Sequence, residues 1–191
     1  MVLQKQILLF SYIYIYNSCI KCLKCEINNT CIMVDNFYIS KTLDKFHQFL
    51  GVFAANHLDE NLFRKNFNSV QYAIINTEPL ESREEGHWIS LSRYKDNKGR
   101  VILEFFDSLA WPVILLEHNI RKTIQNARFD IFVTNNKMLQ HPRSKYCGFY
   151  TIARFLSLLK KSNIVEFLSH FTCDLMGNDR RVLRYIRMMS K

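Results

Sequence analysis

The segment Gln140-His141-Pro142-Arg143-Ser144-Lys145-Tyr146-Cys147-Gly148 runs directly into an apolar helical pattern, Phe149, Ile152, Phe155, Leu156 and Leu159. A cysteine that opens a helix lies at the positive end of the macrodipole. It sits beside backbone N–H groups that have no intrahelical partner, and both effects favour its thiolate. Gln140, seven positions upstream, is able to fold back and offer a side-chain N–H to an oxyanion forming next to that sulfur. This is the equipment of a thiol hydrolase, and it requires a base.

The elements that position a base are legible nearby. His87–Tyr94 alternates as a strand does, Asp96-Asn97-Lys98-Gly99 is a turn signal, and Arg100–Phe106 is a second strand. With the turn centred near position 97, an antiparallel pair places His87 opposite Asp107 at the open end of the hairpin. A carboxylate accepting from one imidazole nitrogen fixes the tautomer and stabilises the imidazolium, leaving the other nitrogen to take a thiol proton. Each residue alone has an ordinary explanation. Cys147 is a small residue at a helix start, Asp107 ends a strand, and Gln140 is a loop amide. His47, His57, His118, His141 and His170 read as surface residues. The conjunction of a histidine, its hairpin-opposed acid and a Gln–Cys pair at a helix start points to acyl transfer.

The 191 residues suffice for one domain with a full core. Their high apolar content, few glycines and prolines and lack of repeats exclude wholesale disorder and a solenoid. A charge of +9, from 26 basic and 17 acidic residues, favours polyanionic partners. Cys19, Cys22, Cys25 and Cys31 crowd one end while only Cys147 and Cys173 lie elsewhere. That distribution is not a disulfide framework and indicates a reducing, intracellular setting. The Cys19–Cys31 group has zinc-ligand types but irregular spacing and no histidine, so no metal site is assigned. Ile7–Tyr16 is apolar but too short to span a bilayer, and although Lys5 precedes it no small-residue cleavage pattern follows.

Further elements are a helix over Thr42–Leu50, with Leu43, Phe46 and Leu50 at helical spacing, and a buried strand at Val70–Asn76. Pro112 opens a helix striped by Leu116, Ile120 and Ile124, and Phe129–Thr134 is a strand. Helices follow near Cys147–Lys160, Asn163–Phe171 and Asp179–Met189. Strands followed by a run of helices indicate an α+β fold.

These residues resemble the adenovirus-type cysteine protease (adenain) family, of the clan that also holds the Ulp/SENP SUMO proteases. Phe49-Leu50-Gly51-Val52-Phe53 is similar to the family's FLG-x-F segment, and Ala73-Ile74-Ile75-Asn76-Thr77 to its AIVNT strand. Gly86-His87-Trp88 resembles the segment bearing its histidine, and Gln140–Gly148 its Q-x-P-x-S-x-x-C-G. Leu175-Met176-Gly177 is similar to a weaker C-terminal element. The likeness spans Ser40–Met189, and the Gln–Cys interval is one residue longer than that of Ulp enzymes. It implies a small mixed sheet packed on helices, with the nucleophile at a helix N-terminus. The implied roles are His87 as base, Asp107 as its orienting acid, Gln140 as oxyanion donor and Cys147 as nucleophile. Trp88 either packs beside the imidazole or is an ordinary core tryptophan.

On the same resemblance residues 1–36 are an extension, with Met33 a plausible start, and 37–191 form the protease domain. The implied activity is cleavage of viral precursor polypeptides, or those of related Maverick/Polinton elements, after Gly-containing motifs during particle maturation. The implied setting is the virion and host nucleus. The expectation is a monomer with no membrane partner and no cofactor for the chemistry, activated by DNA and a viral peptide. Arg180, Arg184, Arg187 and Lys191, at helical spacing, are the candidate phosphate contacts. Two departures stand out. The family often has Glu where Asp107 lies, and Phe129–Leu139 lacks the cysteine through which adenain holds its activating peptide. The alternatives are a Ulp-type SUMO or ubiquitin deconjugase and an inactive nucleic-acid-binding protein on this scaffold.

Overall fold

Runs of β-branched and aromatic residues between turn signals become strands that lie side by side in chain order. The computed structural model describes residues 34–64, 67–84 and 86–190. Its sheet is β1 (Phe49–Ala54), β2 (Gln71–Asn76), β3 (Trp88–Lys95), β4 (Val101–Phe106) and β5 (Ile131–Thr134). The outer pairs β1–β2 and β4–β5 are parallel, whereas β2–β3 and β3–β4 are antiparallel. Around the sheet lie α1 (Asn36–Leu43), α2 (His118–Asn126), α3 (Cys147–Leu159), α4 (Ile164–Ser169) and α5 (Leu175–Met189). The mixed α+β architecture is the one expected.

Side chains alternate across the strands and feed two cores. Tyr72, Ile74 and Phe106 point to the face covered by α3, where Tyr150, Ile152, Ala153 and Phe155 meet them. Ala73, Ile75, Ile89, Leu91, Leu103 and Phe105 point to the other face, under Ile120 and Ile124 of α2 and Phe63. Coverage on both sides explains why β3 is buried from Trp88 to Arg93. Helix α3 is buried from Cys147 to Leu158, which accounts for its nearly all-round apolar sequence.

One ion pair crosses that interface. Arg154 of α3 meets Glu104 of β4 through Nε–Oε1 (2.6 Å) and Nη2–Oε2 (2.7 Å), both side chains fully removed from solvent. Further hydrogen bonds hold the pair. Arg154 Nη1 donates to Ser157 Oγ and the Ser162 carbonyl, and Tyr94 OH donates to Glu104 Oε2. The helix that begins at Cys147 is thereby fixed to the strand that ends before Asp107.

Three expectations are corrected. Thr42–Leu50 is not a helix: α1 ends at Leu43 and Leu50 belongs to β1, because the apolar spacing of Leu43, Phe46 and Leu50 also serves a helix–turn–strand that faces the core. Pro112 precedes a short 3-10 turn at Val113–Leu115, and α2 begins only at His118, where Glu117 caps it by accepting from the Asn119 N–H (2.6 Å). The last helix starts at Leu175, four residues before the expected Asp179, because Asp174 accepts the Gly177 N–H (2.9 Å) as an N-cap. The Cys19–Cys31 group, Ile7–Tyr16, Met33 and Lys191 lie outside the described residues.

Arg154→Leu leaves Glu104 charged, buried and unpaired, so it lowers unfolding free energy by about 3–5 kcal/mol, whereas joint replacement with Glu104→Leu costs less than that single change. Urea denaturation of the single and double variants measures this, and additive losses would contradict it.

Candidate active site

The hairpin sets the site, in a register that differs from the expected one. Lys95 pairs with Val101 and Ser90 with Phe106, so the turn centres on Lys98 rather than Asn97. Gly99, at φ 79°, donates its N–H to the Asp96 carbonyl and adds the residue that shifts the register. Extending this register brings Ile89, not His87, opposite Asp107. His87 lies on the diagonal, and its longer side chain closes the gap: Nε2 meets Asp107 Oδ1 at 2.6 Å.

His87 is delivered by its neighbours. Gly86 has φ 65°, and a Cβ there would overlap the Asn76 side-chain amide, so only glycine fits. The His87 N–H donates to Thr77 Oγ1 (3.0 Å) and its carbonyl accepts the Thr77 N–H (2.9 Å), extending the β2–β3 pairing by one residue. Burial by itself would lower the imidazole pKa. The Asp107 carboxylate opposes it through charge and hydrogen bond, assisted by a hydrogen bond and charge interaction with Cys147, and the net effect raises it to about 10. Since Nε2 faces Asp107, Nδ1 is the nitrogen left for Cys147.

Asp107 is wholly buried and fully occupied. Oδ1 also accepts the Leu109 N–H (2.8 Å) and Oδ2 the Trp111 N–H (3.0 Å). The turn that makes this wrap possible ends at Ala110, held at φ 56°. It also swings the Trp111 ring to 5.3 Å from the imidazole. Trp88, by contrast, donates its indole N–H to the Val34 carbonyl (2.9 Å) and lies against Gly148. Trp111 is thus the ring that packs beside the His87 imidazole, and Trp88 belongs to the core.

The backbone of Asp107 is held by a side chain. Asn135, immediately after β5, accepts the Asp107 N–H on Oδ1 (2.9 Å) and donates Nδ2 to the Asp107 carbonyl (2.6 Å). Ser108 then grips the next component. Its carbonyl accepts the Leu139 and Gln140 N–H groups (2.8 and 3.1 Å), and its hydroxyl donates to Gln140 Oε1 (2.6 Å). Gln140 Nε2 donates to the Ser144 carbonyl (2.6 Å). Neither Ser108, Asn135 nor Trp111 was indicated by spacing; the position of Asn135 directly after a strand was the only available signal.

Cys147 is a buried free thiol and the first residue of α3. No side chain caps this helix, so the N–H groups of its first turn are not claimed by a cap. Gly148 admits Val34, whose side chain occupies the space that a Cβ would take. The segment before Gln140 is supported from α5 and α3: Asn178 Nδ2 donates to the Leu139 carbonyl (2.9 Å), as does Tyr150 OH of α3 (3.2 Å). His87 therefore links Asp107 to Cys147, and Gln140 is joined to Asp107 through Ser108. Arg180, Arg184 and Arg187 lie apart from them, exposed along α5. Among the described residues no group of His, Cys, Asp and Glu could hold a metal ion.

No protein-family model matches the sequence, and no curated protein matches it. Among solved structures, the chain shares its fold with the pS273R protease of ASFV at a TM-score of 0.50 and 17% identity, over 81% of this chain and 68% of that one. A de-sumoylating protease is similar at a TM-score of 0.38 and 15% identity, over 80% of this chain and 70% of that one.

Because the folded imidazole titrates near 10 rather than its ordinary 6.5, the native state binds the proton more tightly than the unfolded chain does. Stability from the His87–Asp107 pair is therefore complete below pH 6.5 and is withdrawn as pH rises through about 10. The difference in unfolding free energy between the native chain and Asp107→Asn should narrow across that interval; a difference independent of pH would contradict the assignment.

Proposed function

We propose that this chain is a cysteine endopeptidase with Cys147 as nucleophile, His87 as base, Asp107 as orienting acid and Gln140 as oxyanion donor. The observation that carries the reading is the buried imidazole held between Asp107 and Cys147 at an uncapped helix start. The fold shared with the pS273R protease of ASFV agrees with it.

The chemistry follows from the geometry. Cys147 Sγ gives its proton to His87 Nδ1, and the resulting imidazolium is stabilised by Asp107. The thiolate attacks the scissile carbonyl. The tetrahedral oxyanion is held by the Cys147 backbone N–H and by Gln140 Nε2, which has one N–H beyond that given to Ser144. Collapse breaks the C–N bond as the imidazolium protonates the leaving amine, leaving a thioester. Water then attacks the thioester with His87 taking its proton, and the acid and free thiol are released.

The substrates of this reading are precursor polypeptides of a virus or virus-like element, processed as the particle matures. A second reading, removal of a ubiquitin-like modifier from lysine, is favoured by the aspartate at position 107, which is the Ulp habit. Cleavage of precursor-type peptides against SUMO–lysine conjugates separates the two. A peptide electrophile should label the native chain at Cys147 and fail to label Cys147→Ala. Gln140→Ala should lower kcat by about 10²–10³-fold. A native chain that is neither labelled nor hydrolytic would leave only the inactive nucleic-acid-binding alternative.

We also infer non-specific DNA binding along α5, supported by the exposed row Arg180, Arg184 and Arg187 and the charge of +9. With three phosphates neutralised, affinity for duplex DNA should fall roughly 40-fold between about 50 and 200 mM salt. Fluorescence anisotropy with labelled duplex tests this, and binding that ignores salt would contradict it.

A further inference from the structure

We propose that Ser108 is a positioning residue: by donating to Oε1 it holds the Gln140 side-chain amide in the orientation that the Ser144 carbonyl selects, with an N–H presented where the oxyanion forms. The inference rests on the thiol-protease reading of Cys147 and deepens it.

An amide side chain has two ends of similar shape and opposite hydrogen-bonding character, so a half-turn about its last bond converts a donor into an acceptor. An oxyanion site tolerates only the donor. In this protein two contacts fix the choice. The Ser144 carbonyl can only accept, and Gln140 Nε2 lies 2.6 Å from it. The Ser108 hydroxyl donates to Oε1 at 2.6 Å. Turning the amide over would set Oε1 against the Ser144 carbonyl, two acceptors facing one another, and would reverse the Ser108 hydroxyl from donor to acceptor. Ser108 and Gln140 are almost completely buried, so water does not replace a lost partner cheaply.

The arrangement leaves one Nε2 hydrogen without a protein acceptor among the described residues, and that is the hydrogen available to the oxyanion. Ser108 is also the residue after Asp107, and its carbonyl receives the Leu139 and Gln140 N–H groups. The hydroxyl is thus held at its post by the same turn that wraps the acid. Without it, Oε1 is buried with no donor, and the amide gains by tilting away from the orientation that catalysis needs.

The test compares acyl transfer with a reaction at the same sulfur that forms no oxyanion. Iodoacetamide alkylates a thiolate by direct displacement, so it reads the Cys147–His87 pair and the integrity of the fold without using Gln140. Ser108→Ala should lower kcat for peptide hydrolysis by about tenfold, less than the loss of the whole donor, with KM within about twofold and the alkylation rate unchanged. Ser108→Thr, which restores a hydroxyl, should recover most of kcat. In a Gln140→Ala background the Ser108→Ala change should have no further effect, since there is no amide left to orient.

The proposal is overturned if Ser108→Ala hydrolyses peptide as the native chain does. It is equally overturned if alkylation falls in parallel with hydrolysis, or if the same tenfold loss persists without Gln140. Those outcomes leave the protease reading intact because the native chain still cleaves. A native chain that alkylates but never hydrolyses peptide removes that reading, and this inference with it.

Discussion

A carboxylate taken fully out of water must be compensated by groups held in place for the purpose, and that requirement on Asp107 organises the site. It is met from three directions: the imidazole of His87, and the N–H groups of Leu109 and Trp111. Each donor requires something of the chain. The backbone donors require a turn tight enough to place Ala110 in the left-handed region, at a cost of about 1 kcal/mol. The imidazole donor requires that His87 stand just beyond β3, which Gly86 and Thr77 arrange. Once satisfied, the carboxylate raises the proton affinity of His87 despite burial.

The other half of the site is placed by packing. Cys147 begins a helix buried along nearly its whole length, and the helix is fixed to β4 by the Arg154–Glu104 pair. That pair lies two turns along α3 from Cys147 and three residues before Asp107. It contributes registry more than net stability, since a buried ion pair offsets much of its attraction with desolvation. A slip of α3 along the sheet by one turn would break both of its hydrogen bonds together.

Much of this was readable in advance, and the misses have physical causes. The hairpin was visible because Asp-Asn-Lys-Gly is a local signal, yet the register was not, since it depends on where Gly99 takes up its left-handed conformation. The meeting of His87 and Asp107 survived because imidazole reaches a diagonal neighbour; a shorter side chain would not have. The expected helix over Thr42–Leu50 failed because apolar spacing alone does not distinguish a helix from a helix–turn–strand whose Leu43 and Phe46 pack on one core and Leu50 on the other. Trp88 and Trp111 differ in role through contacts between distant parts of the chain: Trp88 with Val34, Trp111 with the His87 ring. Ser108 and Asn135 act through side-chain bonds across 32 and 28 positions, which no periodicity reports.

Asn135 deserves to be viewed as a piece of sheet made from a side chain. Its amide gives the Asp107 N–H an acceptor and the Asp107 carbonyl a donor, which in a longer parallel β5 would have come from two different backbone residues, so hydrogen bonding continues after the strand itself has stopped. The main chain is thereby released from the direction of the sheet. It turns aside, reaches the Ser108 carbonyl at Leu139, and carries Gln140 toward the start of α3. A longer β5 would have made the same bonds from its backbone and carried the chain onward along the sheet. By separating the end of hydrogen bonding from the end of the strand, one carboxamide allows a single short peptide both to close the sheet and to open the loop.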